Sequence, residues 1–415
     1  NTDETRKRLK RTAHHNMFPV AGILPPSILP DEILLAGEKR IRAIFVDSAN
    51  PLVTWPDTPA FEKAFASLEL LVVVDVAMTE TARMAHYVLP AASQFEKWEF
   101  TGFNLEFPHN AFHLRHPLFE PLGETLSEPE IYTRLLEKMG AIPDDFPVLK
   151  RISRWEPESA AYLASLAAFA ATLAANKKWA PYAASILYRT LGEALPDKAA
   201  AAAFLLPLSM AFAMRQPKAV RRAGHKGNRL TLGANLFRAI LESRSGVMFS
   251  VHEFEEVWSL IANRDKRIHL HIPELMSLWQ KLPVAPDVSS EYPFILAAGE
   301  RRAYNANQIY RSPAWRKTDA HGALRIHPLD AADLGVGNGE NLVCESEVGE
   351  ITAIVEIDEG MQRGFVSLPH GYGMRYNGGD PAGPEINRLT TLAHRDPLMH
   401  TPYHKYVPVR LRKPE

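Results

Sequence analysis

The sequence predicts three architectures in series: an α/β layer built on a parallel sheet over residues 1–150, a largely helical segment over 151–290, and a β-barrel over 291–415. Three observations carry this reading. Apolar runs at 42–46 and 70–76 (LLVVVDV) flank a helix-spaced set. Alanine- and leucine-rich amphipathic stretches then dominate, among them AAYLASLAAFAATLAA, FEEVWSLIA and ELMSLWQKL. From Tyr292 onward short apolar runs (FILAAG, LVCES, ITAIVEI, FVSLPH) alternate with Gly, Asn and Asp turns.

In the first segment, Phe61, Ala64, Phe65 and Leu68 recur at helical spacing, a crossover helix long enough to join parallel neighbours. After Asp75 the spacing places a cap at Thr79, a helix start at 80–85, and a short strand stopped by Pro90. In the second segment, residues 159–176 and 199–214 are weakly charged, but they are alanine-rich and Pro207 interrupts the second, so they read as buried helices and not membrane spans. The glycines at 335, 337 and 339 lead into a strand and lack nicotinamide-fingerprint spacing, so they are turn glycines.

Composition narrows the function. The chain has 415 residues and 46% apolar content, enough for sizeable cores. Its 47 Lys and Arg balance 48 Asp and Glu, which argues against nucleic acid as a partner. Residues 215–229 hold six Lys or Arg without interleaved aromatics and read as a solvated inter-helix loop. Cys344 is the sole cysteine, so an internal disulfide and a CxxC pair are excluded, and its apolar run makes it a buried structural thiol. His269 and His271 alternate onto one strand face, and His109, His113 and His116 lie close together, yet neither set has structural-zinc spacing. Residues 1–11 lack the apolar core of a secretory signal.

Ligands of open parallel sheets sit beyond the carboxyl ends of the strands, here at Ser48-Ala49-Asn50-Pro51 and from Asp75 to Thr81. A carboxylate can accept the paired N–H donors of a guanine, and threonine hydroxyls and helix-start amides suit ribose and phosphate. Asp75, Thr79, Glu80 and Thr81 carry those chemistries. Plain helix capping by Thr79 with a solvated Glu80 is the competing reading.

The segments AIFVDSANP and VVVDVAMTETARMAHYVLPAASQFEK resemble the third domain of the molybdopterin oxidoreductases of the dimethyl sulfoxide reductase superfamily. AAGERRAYNANQ, LRIHPLDAADLGVGNGENLVCES, SLPHGYG and EINRLT extend that resemblance, in order, through the family's dinucleotide-binding barrel of double-psi type. The resemblance implies that Asn50, Asp75, Thr79, Glu80 and Thr81 line a molybdopterin guanine dinucleotide site. In the barrel it implies Arg301 and Arg302, after Gly299, at pyrophosphate with Asn307 offering an amide, and His370, Gly371 and Tyr372, with Gly373, against the pterin, a plain turn with a core histidine being the competing reading of that loop. Asn387 and Lys405 are the further polar partners. Guanidinium forks suit pyrophosphate, and glycines admit close backbone approach.

The implied cofactor is bis-molybdopterin guanine dinucleotide with molybdenum or tungsten, serving two-electron or oxo-transfer chemistry on a small-molecule substrate. The family's 4Fe-4S motif and metal-ligating residue belong to an N-terminal portion that this sequence does not contain. That reading makes the chain the C-terminal half of a catalytic subunit, inactive alone. Its partners are the missing half and an electron-transfer subunit, with a cytoplasmic location expected. Two departures touch the substrate side: His86 replaces a common Asp, and residues 98–108 lack the commoner Glu-Gly-Arg ending while keeping Asn104. A non-catalytic cofactor-binding or assembly module, a hydratase-like member of the superfamily and a nicotinamide dehydrogenase are the alternatives, the last disfavoured by the missing GxGxxG.

Overall fold

The computed structural model describes residues 10–19, 22–101, 106–156, 162–281, 288–300, 312–376, 378–397 and 399–415. The chain divides into two compact units. One is discontinuous, combining residues 1–89 with 283–415, and the other comprises residues 90–282. The boundary expected near residue 150 therefore falls inside the second unit.

The first leg of unit 1 begins with α1 (Leu29–Leu34), which buries Ile33 and Glu32. Strand β1 (Ala43–Asp47) follows, then α2 (Pro51–Thr54), α3 (Thr58–Ala66), β2 (Leu70–Asp75), α4 (Glu80–Met84) and β3 (Tyr87–Pro90). Strands β1 and β2 pair in parallel, Ala43 opposite Leu70 and Asp47 opposite Val74, in a sheet of order β1-β2-β3. The expected crossover is α3, started by Pro59 near its N-terminus and capped by Asp57, whose carboxylate accepts the Ala60 N–H. It packs Phe61, Ala64 and Phe65 against Leu71 and Val73 of β2.

Glu32 is 3% exposed, yet it is fully solvated by peptide, accepting backbone N–H groups of Ala13, His14 and His15 at 2.8–3.0 Å. Burial pushes its carboxyl pKa up, but the amides of His15, His14 and Ala13 and the Thr12 hydroxyl together hold it below the ordinary value. A depressed folded-state pKa contributes stability that is fully present above the unfolded value of about 4.3 and is lost as pH falls through the folded value. Glu32→Gln is expected to lower stability by about 1–3 kcal/mol at neutral pH, with the gap from the unsubstituted protein closing below about pH 4. Urea unfolding at pH 7 and at pH 3 checks this, and a gap independent of pH would contradict it.

Unit 2 begins with β4 (Glu99–Thr101) and β5 (His109–Arg115) and continues through α5 (Glu128–Lys138), α6 (Leu163–Ala175), α7 (Ala183–Arg189), α8 (Leu205–Arg215), α9 (Pro217–Arg222) and α10 (Leu232–Glu242) to β6 (Val247–Val251). The strands form one antiparallel sheet, β4-β5-β6, against a helical core that includes Ile186, Leu206, Leu232 and Phe237. Among the described residues no helix is long and apolar enough to cross a membrane. Helix α6 buries only Ser165 and Phe169, so it lies half-exposed where the alanine-rich run predicts full burial. Its many alanines offer little area to bury on any face. Helix α9 occupies part of the basic stretch expected to be a loop. Residues 268–272 form no strand, and His269 instead meets the Asp265 carboxylate at 2.8 Å.

Helices α8 and α10 cross at Gly233, where an added Cβ would stand 2.5 Å from Met210 Cα. Gly233→Ala is therefore expected to cost about 1–3 kcal/mol by overpacking, although alanine favours helix. A thermal melt checks it: an unchanged or raised Tm would show that the crossing can relax.

The chain returns to unit 1 as β7 (Phe294–Glu300), β8 (Leu324–Ile326), α11 (Pro328–Leu334), β9 (Asn341–Ser346), β10 (Gly349–Ile357), β11 (Phe365–Pro369), the short pair β12 (Met374–Arg375) and β13 (Pro381–Ala382), and β14 (Val407–Arg412). Six of these strands close a barrel in the order β10-β8-β11-β7-β14-β9. Strands β8 and β10 pair in parallel, as do β7 and β11, while β9 and β10 form an antiparallel hairpin. The barrel is filled by Leu296, Leu324, Ile326, Leu342, Val366, Leu368 and Val409, alternate inward residues of the strands. Cys344 lies in that core, and burial raises its thiol pKa far above the ordinary value, so it is an inert apolar filler. Gly335 closes α11 at φ 64°, the turn role expected of it.

Candidate functional site

Within unit 1, residues from the α/β leg and from the barrel loops enclose a cleft of about 160 Å3. Its walls come from Leu52, Val53 and Thr58, from Glu80 and Arg83 of α4, from His370 through Gly373, and from Glu385 through Arg388. Such a volume holds part of a dinucleotide, not the whole.

Asn50 directly precedes α2 and is almost fully buried. Its amide donates to Glu80 Oε2 at 2.6 Å, while its Oδ1 accepts from the Thr81 N–H at 3.2 Å and the Thr81 hydroxyl at 2.9 Å. The other Glu80 oxygen accepts the backbone N–H of Arg375 at 2.7 Å, 295 positions along the chain. Glu80 thus ties the start of α4 to the barrel loop. Thr79 caps α4 through the Ala82 N–H, and Asp75 accepts the Ala77 N–H at 3.2 Å. Neither Thr79 nor Asp75 lines the cleft, and Thr79 has the capping role that the competing reading gave it.

On the barrel side β7 ends at Gly299, with φ 77°. A Cβ there would fall 2.1 Å from His370 Nε2, so the glycine is what lets the imidazole lie across the strand end. The bulge between Leu368 and Pro369 precedes this loop and re-aims it, and the His370 N–H donates to the Glu300 carbonyl. Tyr372 is buried, its hydroxyl donating to the Asp319 carbonyl, with the Arg316 guanidinium 4.4 Å from its ring centroid. Gly373 sits at φ 78°, where a Cβ would meet Glu385 Cα at 2.9 Å, so it closes the loop onto the opposite wall.

Asn387 is buried and donates to the Val53 carbonyl at 2.6 Å, holding the end of the barrel against α2. Arg388 pairs with Glu62 at 2.9 Å and with Glu385 at 2.5 Å. Burial pushes its guanidinium pKa down, but these two carboxylates hold it above the ordinary value. Lys405 donates to the carbonyls of Ala298 and Gly299, both at 2.7 Å, at the end of β7 and away from the cleft lining.

The fold therefore gathers Glu80, His370, Gly371, Tyr372 and Asn387 around one cleft, with Asn50 and Thr81 immediately behind Glu80 and Gly299 against His370. Arg301, Arg302 and Asn307 lie outside the described residues. Arg83, Arg375 and Arg388 were not singled out from the sequence, although Arg388 lies inside EINRLT and Arg375 follows HGYG by two positions. Guanidinia balanced by carboxylates, with left-handed glycines at the loop, form a donor set that fits an anionic, planar-headed cofactor. Among the described residues no group of three His, Cys, Asp or Glu is placed to hold a metal ion.

Comparison with known proteins identifies the class. Residues 294–408 match the Molydopterin dinucleotide binding domain, and residues 20–138 match the Molybdopterin oxidoreductase family. The chain thus carries a molybdopterin oxidoreductase segment and a molybdopterin dinucleotide-binding domain. The chain belongs to the molybdopterin oxidoreductases of the dimethyl sulfoxide reductase superfamily.

Acetylene hydratase of Syntrophotalea acetylenica is 23% identical over 86% of this chain and 40% of its own length. Trimethylamine-N-oxide reductase of Haemophilus influenzae is 24% identical over 80% of this chain and 36% of its own. The alpha subunit of an F420-dependent formate dehydrogenase from Methanocaldococcus jannaschii is 36% identical over 30% of this chain and 17% of its own. The solved acetylene hydratase of Pelobacter acetylenicus has the same fold, with a TM-score of 0.56 at 18% identity, over 99% of this chain and 49% of that one. The chain thus spans less than half the length of each of these proteins.

Proposed function

We propose that this chain grips the pterin dinucleotides of a molybdenum- or tungsten-dependent oxidoreductase acting on a small-molecule substrate, and that the protein works with further polypeptide carrying the metal ligand and an electron-transfer centre. The observation that carries this reading is the single cleft onto which both family-matched segments converge, 20–138 through Glu80 and 294–408 through His370 to Arg388.

When bound, the metal held by the pterin supplies the two-electron chemistry. The part of this chain is to bind and orient. Glu80, in the cleft wall, presents its carboxylate to ring N–H groups. Gly371 and Gly373 let peptide approach a flat ring, and Arg83, Arg375 and Arg388 face phosphate. Asp75 and Thr79 act from behind by fixing the start of α4, and Lys405 fixes the end of β7 beside Gly299. Arg301, Arg302 and Asn307 complete the phosphate grip in this proposal.

The test is to purify the chain from a host that makes the cofactor and to denature it. Release of a fluorescent oxidised pterin, with molybdenum or tungsten by elemental analysis, is the expected result. Absence of pterin after expression both alone and with the remainder of the subunit would overturn the reading. Hydration chemistry is the second reading, favoured by the 86% coverage against acetylene hydratase. Turnover that needs no electron donor or acceptor would select it over oxidation and reduction.

A further inference from the structure

Against β14, within unit 1, lies a second cleft of about 360 Å3, more than twice the volume of the cleft around Glu80 and of a size that suits a small ligand. Neither the family resemblance nor the comparisons assign it a role. Leu389 and Val407, both buried, give it an apolar floor, and Tyr292, Tyr403 and Tyr406 bring three aromatic side chains to it. Tyr403 and Tyr406 are substantially solvent-exposed, so the entrance is open.

The backbone explains why residues 403–406 line this cleft and not the one around Glu80. His404 accepts the Ala298 N–H through its carbonyl, which docks residues 403–406 on the end of β7. Lys405 then reaches the Ala298 and Gly299 carbonyls, while Tyr403, His404 and Tyr406 line the second cleft. One short segment thus contributes its cation to the strand end and its aromatics to the cleft.

The rim carries one carboxylate. Glu347, in the turn between β9 and β10, meets His394 Nε2 through Oε1 at 3.1 Å. No Lys or Arg is among the described lining residues. Tyrosine rings attract cations through their quadrupole, and a carboxylate beside them adds Coulombic attraction for a cation and repulsion for an anion.

We propose that this cleft binds a small planar aromatic cation, its ring against Tyr403 and Tyr406 and its charge toward Glu347. The site is separate from the cofactor cleft and does not depend on the proposed redox function.

Benzamidine is the probe, with benzoate as the anion of the same shape and benzamide as the neutral one. Titration of the whole chain, followed by saturation-transfer NMR, is expected to show benzamidine binding about tenfold more tightly than benzamide, with benzoate weaker still. Glu347→Gln is expected to remove most of the preference over benzamide, and Tyr403→Ser to weaken all three ligands. Both positions are at the surface, and an unchanged melting temperature for each variant separates loss of binding from loss of fold. Absence of benzamidine binding, equal binding of benzoate, or indifference to both substitutions would each overturn the proposal.

Discussion

Replacing Arg189 with methionine is expected to cost unit 2 about 3–5 kcal/mol of unfolding free energy, the scale for removing one partner of a buried ion pair. Arg189, on α7, donates from Nε to Glu137 Oε1 at 2.5 Å and from Nη1 to Glu130 Oε2 at 2.6 Å, both acceptors lying on α5. The side chains are only 13–19% exposed, so solvent cannot replace the guanidinium. Burial pushes the Glu130 carboxyl up, and Arg189 with Arg134 brings it back below the ordinary value. Beside them burial first, and then Glu130, push the Tyr188 hydroxyl up to about 12. Removing Arg189 takes the shared guanidinium from both carboxylates and leaves Arg134 and the Tyr188 hydroxyl on Glu130. Chemical denaturation followed by circular dichroism reads the loss. A change under 1 kcal/mol would show that α5 and α7 are held by apolar packing. The double replacement of Glu130 and Glu137 by Gln in the Arg189→Met background should recover part of the loss, which a purely steric effect of methionine would not allow.

Gly299→Ala is expected to act on both stability and cofactor grip. Its φ of 77° costs a side-chain-bearing residue about 1–2 kcal/mol. The new methyl, 2.1 Å from His370 Nε2, must also drive the imidazole from the strand end, an overpacking cost of about 1–3 kcal/mol. Since His370 opens the loop through Gly373 that forms one wall of the cleft, pterin retained per chain should fall at least several-fold while the rest of the barrel still folds. Truncating the ring as well, in Gly299→Ala with His370→Ala, should restore much of the melting temperature but not the pterin. Full pterin retention in Gly299→Ala would remove the His370 loop from the cofactor site.

Local patterns in the chain reveal much of this architecture. The period of Phe61, Ala64 and Phe65 marks α3, the apolar runs mark β1 and β2, and Thr79 followed by Glu80 marks the start of α4. Turn glycines and short apolar runs mark β7, β9, β10 and β11. The same patterns mislead where they are weak. Alternating His269 and His271 suggest a strand that has no pairing partner, and alanine-rich α6 lacks the side-chain area that would bury it.

The sequence by itself determined most of the segments that become parallel sheet, helix and barrel, and it carried the family motifs, because propensity, capping and periodicity act within a few residues of one another. Only the tertiary structure decided that residues 1–89 and 283–415 share one unit and that the motif residues divide into those facing a cleft and those bracing it. Asn387 bonding the Val53 carbonyl, Asp57 accepting the Leu392 N–H and Glu80 accepting the Arg375 N–H join positions some 300 residues apart. Such pairs leave no periodic trace, since nothing in the local chain requires a buried carboxylate or amide to find its partner nearby. They form because each buried polar group must be satisfied by whichever backbone the fold brings alongside.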